Sequence, residues 1–374
     1  MGLLTGVKYK LYKKKLVYKG RKGSQKVEQL PMNAPIDFVV TWVDGSDPEW
    51  LAENEKYRKE CGIKIEQDAN GQCRYRDWEI FRYWFRAVEK YAPWVNHVYL
   101  VTCGQMPEWI NLNSPKLKLI AHKDFIPVKY LPTFSCNPIE LNLHRIPGLS
   151  EHFVYFNDDE FLNQPLSPED FFKGGQPNLS AITQPLMKWG ANDTFSHMRF
   201  STITAINSMF GSKISSQMES CPEKWFAQVY GNQYIQCNLC AFDQNYLPGI
   251  LHTHLGIPCR KSMMEKVWNA IPEQLNKTCL NKFRTPTDII HQIFSIYAML
   301  ECEFNPVGRE HHGRVFSGVL SEKDDIVNAI VNESYRMICI NDSERVTDED
   351  YLQMKTFIRE AFEKAFPQKS VYEK

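Results

Sequence analysis

Residues 152–161 read HFVYFNDDEF, a short apolar run that stops on an asparagine and two acids. Val154, Tyr155 and Phe156 have the character of the end of a buried strand. Asn157, Asp158 and Asp159 then fall just past its carboxyl end, the rim at which open α/β sheets bind ligands. Two adjacent carboxylates repel unless a cation or a hydrogen-bond network holds them. A hard divalent metal with a phosphorylated substrate meets that need. The competing reading is a loop whose acids cap a helix.

Working outward, IDFVVTWV (36–43), VNHVYLVT (95–102) and LKLIAH (117–122) predict further strands. Between them, Ile80, Phe81, Trp84, Phe85 and Val88 recur at helical spacing over 77–91, and Pro93 closes that helix. Strands alternating with helices indicate an α/β fold, a mostly parallel sheet with helices on both faces. Residues 165–250 lack a clean period and are expected to be an insertion or cap over the sheet. Helices are expected over 261–277, 285–300 and 347–366. YRMICI (335–340) predicts another strand, and it too ends in Asn-Asp, Asn341 and Asp342. The expected organisation is a basic arm over 1–30, one catalytic domain over 31–366 and a C-terminal tail over 367–374.

With 374 residues, 43% hydrophobic and 13% aromatic, the chain can bury a large core. Its net charge of zero hides an asymmetry. Residues 1–26 hold nine Lys or Arg and no acid, so the rest carries 35 basic and 44 acidic residues, net −9. The arm mixes these cations with Tyr9, Leu11, Tyr12, Leu16, Val17 and Tyr18. That composition suits contact with an anionic membrane surface, and the acidic body argues against nucleic acid. A solvated, disordered tail is the plain alternative. No apolar run reaches 18 residues and no signal-peptide core is visible. The eleven cysteines, without an export signal, are expected to be reduced thiols in a cytoplasmic protein, peripheral at the inner face of a plasma membrane. Cys237 and Cys240, with Cys221 and His252, are a weak candidate zinc set.

Asp44 and Asp47 follow the first strand as Asp158 and Asp159 follow the later one. If those strands are neighbours, four carboxylates crowd one rim. Gly45 would let backbone approach a ligand closely. Arg74, Arg76, Arg82 and Arg86 are forks able to match phosphate oxygens, or solvated charges on a helix face. His252 and His254 alternate, so if the segment is a strand only one of them faces a given site. A histidine there can act as general base on a hydroxyl. Arg284 precedes an expected helix that starts near Asp288.

Four ordered blocks then resemble the stealth family of sugar-phosphate transferases. They are IDFVVTWVDGSDPEW (36–50), the stretch from RYRDWEIFRYWFRAVEKYAPWVNHVYLVT (74–102) through LPTFSCNPIE to NDDEF (157–161), HLGIPCRKS (254–262) with KFRTPTDII (282–290), and ICINDS (338–343) with the final helix. The resemblance implies a nucleotide-sugar-transferase-like fold. It also implies transfer of a sugar-1-phosphate, a hexose or N-acetylhexosamine, from a UDP-sugar to a hydroxyl of a growing surface polysaccharide, with release of UMP. The acceptor would be an oligosaccharide or lipid-linked glycan. Mg²⁺ or Mn²⁺ would be the cofactor. Carried over, His254, Arg284 and Asp159 would be catalytic. Asp44, Gly45, Arg76, Asn157 and Asp158 would bind the donor, and Asp158, Asp159, Asn341 and Asp342 would hold the metal. Trp78 and Ile80 stand where Asn and Glu are expected. A metal-dependent glycosyltransferase releasing UDP is the alternative activity. A carbohydrate-binding capsule-assembly protein without catalysis is a further one.

Overall fold

The computed structural model describes residues 2–24, 31–63, 75–187, 193–342 and 346–374. In chain order its strands are β1 (Ile36–Thr41), β2 (Val98–Thr102), β3 (Leu117–Ala121), β4 (His152–Phe156), β5 (Glu160–Leu162), β6 (Phe172–Lys173), β7 (Gln176–Leu179), β8 (Ile257–Arg260), β9 (Asn305–Pro306), β10 (Arg314–Phe316) and β11 (Met337–Ile340). Its α-helices are α1 (Gly2–Ser24), α2 (Pro48–Cys61), α3 (Phe81–Tyr91), α4 (Cys136–Asn142), α5 (Pro168–Phe171), α6 (Thr194–Phe210), α7 (Ile214–Ser220), α8 (Pro222–Trp225), α9 (Gly231–Gln244), α10 (Lys261–Ala270), α11 (Pro272–Leu280), α12 (Gln292–Leu300), α13 (Lys323–Val331) and α14 (Asp348–Ala365).

The central sheet runs β3-β2-β1-β4-β8. The first four strands are parallel, and β8 joins the β4 edge antiparallel. The runs of β1, β2 and β4 are mostly apolar because both faces are covered. Val39, Tyr99, Val101, Phe153 and Tyr155 enter one core, with α4 and the α6–α12 layer. Phe38, Val40, Val98, Leu100, Val154 and Phe156 enter the other, with α3, α13 and α14. This is the expected α/β architecture with helices on both faces. Residues 165–250 supply much of the first core, so they are a packed layer against the sheet.

Local chemistry moves several expected boundaries. Glu79 adopts φ 56° and delays the first long helix to Phe81. Pro272 opens a new helix, so the single helix expected over 261–277 is α10 followed by α11. The helix expected from 285 begins only at Gln292. The buried Asp288 instead closes a turn, accepting from Thr285 N at 3.0 Å, Asn137 Nδ2 at 2.9 Å and Asn281 Nδ2 at 2.7 Å. The 335–340 strand lies outside the central sheet, in a second sheet ordered β10-β11-β5. The helix expected over 347–366 is α14, capped by Thr347 Oγ1 accepting from Asp350 N at 3.1 Å.

Both termini are part of the body. Leu16 of α1 is buried in the first core, and α1 packs on α8. The α1 segment is therefore a docked helix rather than a disordered tail. At the other end Glu373 forms a bridge to Ile110 and a two-pronged ion pair with the buried Arg86, at 2.8 and 2.9 Å. Arg86 also donates to Phe366 O at 2.7 Å, so it is a structural group and not a solvated helix-face charge. The expectation of eleven reduced thiols is overturned by a Cys221–Cys302 disulfide, whose two residues folding brings together across 81 positions. That bond also removes Cys221 from the candidate zinc set. Among the described residues no helix is long and apolar enough to cross a membrane.

Candidate active site

Parallel pairing of β1 with β4 sets Val40 opposite Phe156, so Asp44 and Asn157–Asp159 leave the sheet at the same carboxyl rim. Two antiparallel pairings then bring distant blocks to that rim. In β8, Ile257 lies opposite Tyr155, so the residues before the strand, His254 among them, emerge at the carboxyl end of β4. In β11, Cys339 lies opposite Glu160 of β5, and Ile340 N donates to Asp159 O at 2.9 Å. Asn341 and Asp342 therefore leave β11 beside the 157–159 turn. An antiparallel strand delivers the residues at its start to the place where a parallel one delivers those at its end.

His254 is half-buried at the centre of this rim. Its Nε2 lies 3.0 Å from Asn157 Nδ2, 3.4 Å from Glu160 Oε1 and 3.8 Å from Asp159 Oδ1. Asn157 is oriented by the Tyr155 hydroxyl, 2.8 Å from its Oδ1, which turns its amide group toward His254. An amide donor facing Nε2 leaves that nitrogen as the acceptor and places the ring proton on Nδ1. The same amide donates to Glu160 Oε1 at 3.1 Å.

The Tyr155 hydroxyl extends the chain inward. It lies 3.2 Å from Glu140 Oε1 and 3.2 Å from Thr41 Oγ1. Glu140 and Cys136 are one turn apart on α4, and Arg284 Nη2 donates to Cys136 Sγ at 3.0 Å. Arg284, Cys136, Glu140, Tyr155, Asn157, His254 and Asp159 thus form one connected polar network. The thiol beside Arg284 raises the guanidinium further above its ordinary range, and burial pushes Cys136 up to about 12.

The acids at the rim differ in kind. Burial first, and then the neighbouring Asp159 charge, push Asp158 up to about 8. Burial and Asp159 likewise push Glu160 well above the carboxylate range. Asp159 Oδ1 is buried with no hydrogen-bond partner. Asp159, His254 and Cys339 place a ligand atom each within 4.8 Å of one another, the metal-capable group found among the described residues. Crowded, under-compensated carboxyls with an orphaned oxygen fit a divalent cation.

Other expected residues sit on adjoining turns. Asp44 Oδ1 accepts from Ser46 N at 2.8 Å, and Asp47 is the N-cap of α2, held below the usual carboxylate range by Gln105 and the Trp50 and Glu49 amides. The space over Gly45 belongs to the chain itself, because a Cβ there would meet Tyr75 O at 2.2 Å. Arg76 stands 3.8 Å from Asp342 Oδ1 and donates to Val346 O at 3.2 Å, tying the second block to the fourth. Arg74 lies outside the described residues. Trp78 is buried edge-on to Tyr351, so the departure from Asn there serves packing. His252 and His254 lie in a loop, not on a strand, and their rings are neighbours at 6.4 Å, so both approach the same region. Tyr155 was read only as a strand residue, and Glu160 and Cys339 were not singled out as site residues by sequence reasoning. Glu160 stood in the quoted NDDEF, but only the pairing with β11 shows that it points into the site.

Residues 34–60 match the family model for Stealth protein CR1, conserved region 1, and residues 74–179 that for Stealth protein CR2, conserved region 2. The chain is 40% identical over 343 residues to the capsular polysaccharide phosphotransferase WcwK of Streptococcus pneumoniae, covering 91% of this chain and 99% of that one. It is 38% identical to the exopolysaccharide phosphotransferase cps2G of Lactiplantibacillus plantarum, covering 91% and 96%. It is 37% identical to the receptor polysaccharide phosphotransferase WefC of Streptococcus oralis, covering 90% and 99%. With such identity along nearly the full length of its relatives, and both conserved regions at the rim just described, the chain belongs to the stealth family and is a transferase of phosphorus-containing groups.

Proposed function

We propose that this polysaccharide phosphotransferase moves a sugar-1-phosphate from a UDP-sugar to a hydroxyl of a growing surface glycan. A phosphodiester forms and UMP departs. The observation that carries the reading is the polar network from Arg284 to His254, with Asp159 3.8 Å from the histidine. In support of the reading, it links a candidate proton acceptor, His254, to a cationic side chain, Arg284, through buried polar groups.

In this reading the acceptor hydroxyl donates to His254 Nε2, displacing the Asn157 amide, and His254 takes its proton as the oxygen attacks the phosphorus nearest the sugar. General-base help of this kind is worth about 10²–10⁴-fold. The imidazolium that results is stabilised by Asp159, 3.8 Å away. Arg284 supplies a permanent positive charge toward the oxygens of the transferring group, while Asp44 and Arg76 border the donor. Asp158 and Asp159, with Asn341 and Asp342 beside them, would hold Mg²⁺ or Mn²⁺. When bound, such an ion draws charge from the diphosphate.

The test is to incubate the protein with a panel of UDP-sugars, an oligosaccharide acceptor and Mg²⁺ or Mn²⁺, and to identify the nucleotide released. UMP together with an acid-labile phosphodiester in the product supports the proposal. UDP with a glycosidic product would overturn it in favour of a glycosyltransferase.

A further inference from the structure

Helix α1 contributes nothing to the rim, yet it is the most strongly charged stretch of the molecule, and its two sides are sharply different. One side is docked. Leu16 is buried, and Tyr12 and Val17 pack against the first core. Gly20 lies so close to α8 that a Cβ would meet Pro222 O at 2.5 Å and Phe226 Cβ at 2.8 Å. Tyr9 and Lys13 reach Asp243 at 2.9 and 2.5 Å, and Arg21 donates to Asn232.

Among the described residues, the opposite side has no partner in the fold. At 3.6 residues per turn, Val7, Leu11, Lys14, Tyr18 and Lys22 stack in one row. Val7, Leu11 and Tyr18 are 55%, 60% and 63% exposed. Exposed Lys8, Lys15 and Lys19 border the row on one side and Lys10 on the other. The helix contains no acid. Apolar tips edged by ammonium groups are the composition of helices that lie in a membrane interface, with the apolar row at the headgroup boundary and the lysines on lipid phosphates. The chain beyond residue 26, at net −9, is repelled by the same surface, so this face would meet it.

We propose that the outward face of α1 is a preformed docking surface for an anionic lipid bilayer. Because the helix is already folded and fixed by Leu16, Gly20 and Asp243, binding requires no ordering of a loose tail. The geometry also sets orientation, since a helix lying flat along its Val7–Lys22 row fixes how the whole domain faces the membrane.

The test is co-sedimentation of the full chain with phosphatidylcholine vesicles and with vesicles in which about 30% of that lipid is replaced by phosphatidylglycerol. The protein should sediment with the anionic vesicles only and be released at about 0.5 M salt. Each near-surface lysine contributes roughly five-fold to partitioning, so Lys14→Gln/Lys15→Gln/Lys22→Gln should lower it on the order of 100-fold. Leu11→Ser/Tyr18→Ser should also weaken binding while leaving its salt dependence. These side chains face solvent, so circular dichroism and the melting temperature should not change. No sedimentation with anionic vesicles, equal sedimentation with neutral ones, or unchanged partitioning of both variants would overturn the proposal. So would retention of single-stranded RNA, or lysine-dependent self-association, in the absence of vesicle binding.

Discussion

Replacing Tyr155 by Phe separates the orientation of His254 from its chemistry. Tyr155 is buried, its hydroxyl holds Asn157 Oδ1 at 2.8 Å, and Asn157 in turn fixes His254 Nε2 at 3.0 Å. Phenylalanine fills the same volume and removes only that hydroxyl. A neutral hydrogen bond is worth about 0.5–1.5 kcal/mol, so freeing the Asn157 amide to rotate should lower kcat by about 2–13-fold. His254→Ala, which removes the base itself, should lower it by about 10²–10⁴-fold. The donor KM should stay near wild type in both, because neither residue is assigned to the UDP-sugar. The decisive variant is the double one. If Tyr155 acts only through His254, Tyr155→Phe/His254→Ala should be no slower than His254→Ala alone. Initial rates of UMP release across donor and acceptor concentrations provide all four corners of this cycle. Multiplicative losses in the double variant would refute the positioning role, and an unchanged kcat in Tyr155→Phe would refute the network as a functional device.

Three further outcomes are expected. Asp159→Asn should raise the Mg²⁺ or Mn²⁺ concentration needed for half-maximal activity steeply, and an unchanged metal titration would remove Asp159 from the cation site. Glu373→Gln weakens the buried pair with Arg86 and should cost about 3 kcal/mol, a drop of about 4 °C in Tm for a chain of this length. Arg86→Met/Glu373→Leu should recover most of it, and a shift below about 1 °C in Glu373→Gln would show that the C-terminal anchor is not stabilising. Burial holds His122 down to about 4 and His144 and His312 down to about 3, with nearby cations adding to the last two. Both states are neutral above about 6.5, so no stability is lost there. Below that the unfolded chain takes up protons that the folded one refuses, and each histidine costs about 1.4 kcal/mol per pH unit until its folded pKa is reached. Urea midpoints at pH 7.5, 6 and 5 should fall accordingly, and His144→Gln should remove that one histidine's share, about 1.4 kcal/mol per pH unit, from the slope. An identical slope in that variant would remove His144 from the account.

The central sheet was legible because its parallel strands are buried on both faces, so β1, β2 and β4 read as predominantly apolar runs. The carboxyl rim followed, because acids that directly succeed such runs have nowhere else to lie. Helix boundaries were read less well where a single side chain decided them. Asp288 spends its hydrogen bonds on a turn, and Glu79 adopts a left-handed conformation before α3. The four family blocks were visible as motifs, and the two family models match the first two of them.

The amino-acid order by itself determined the α/β class, the acidic turn after β4, the basic charge of the first helix and the presence of His254 and Arg284, since each is written in local pattern or residue type. Only the tertiary structure decided which of these meet. The antiparallel entry of β8 and of β11 brings His254 and Cys339 beside Asp159, and the buried Tyr155–Glu140–Cys136 relay joins Arg284 to them. Those contacts span tens to hundreds of residues and depend on strand direction and register, which no short-range periodicity encodes.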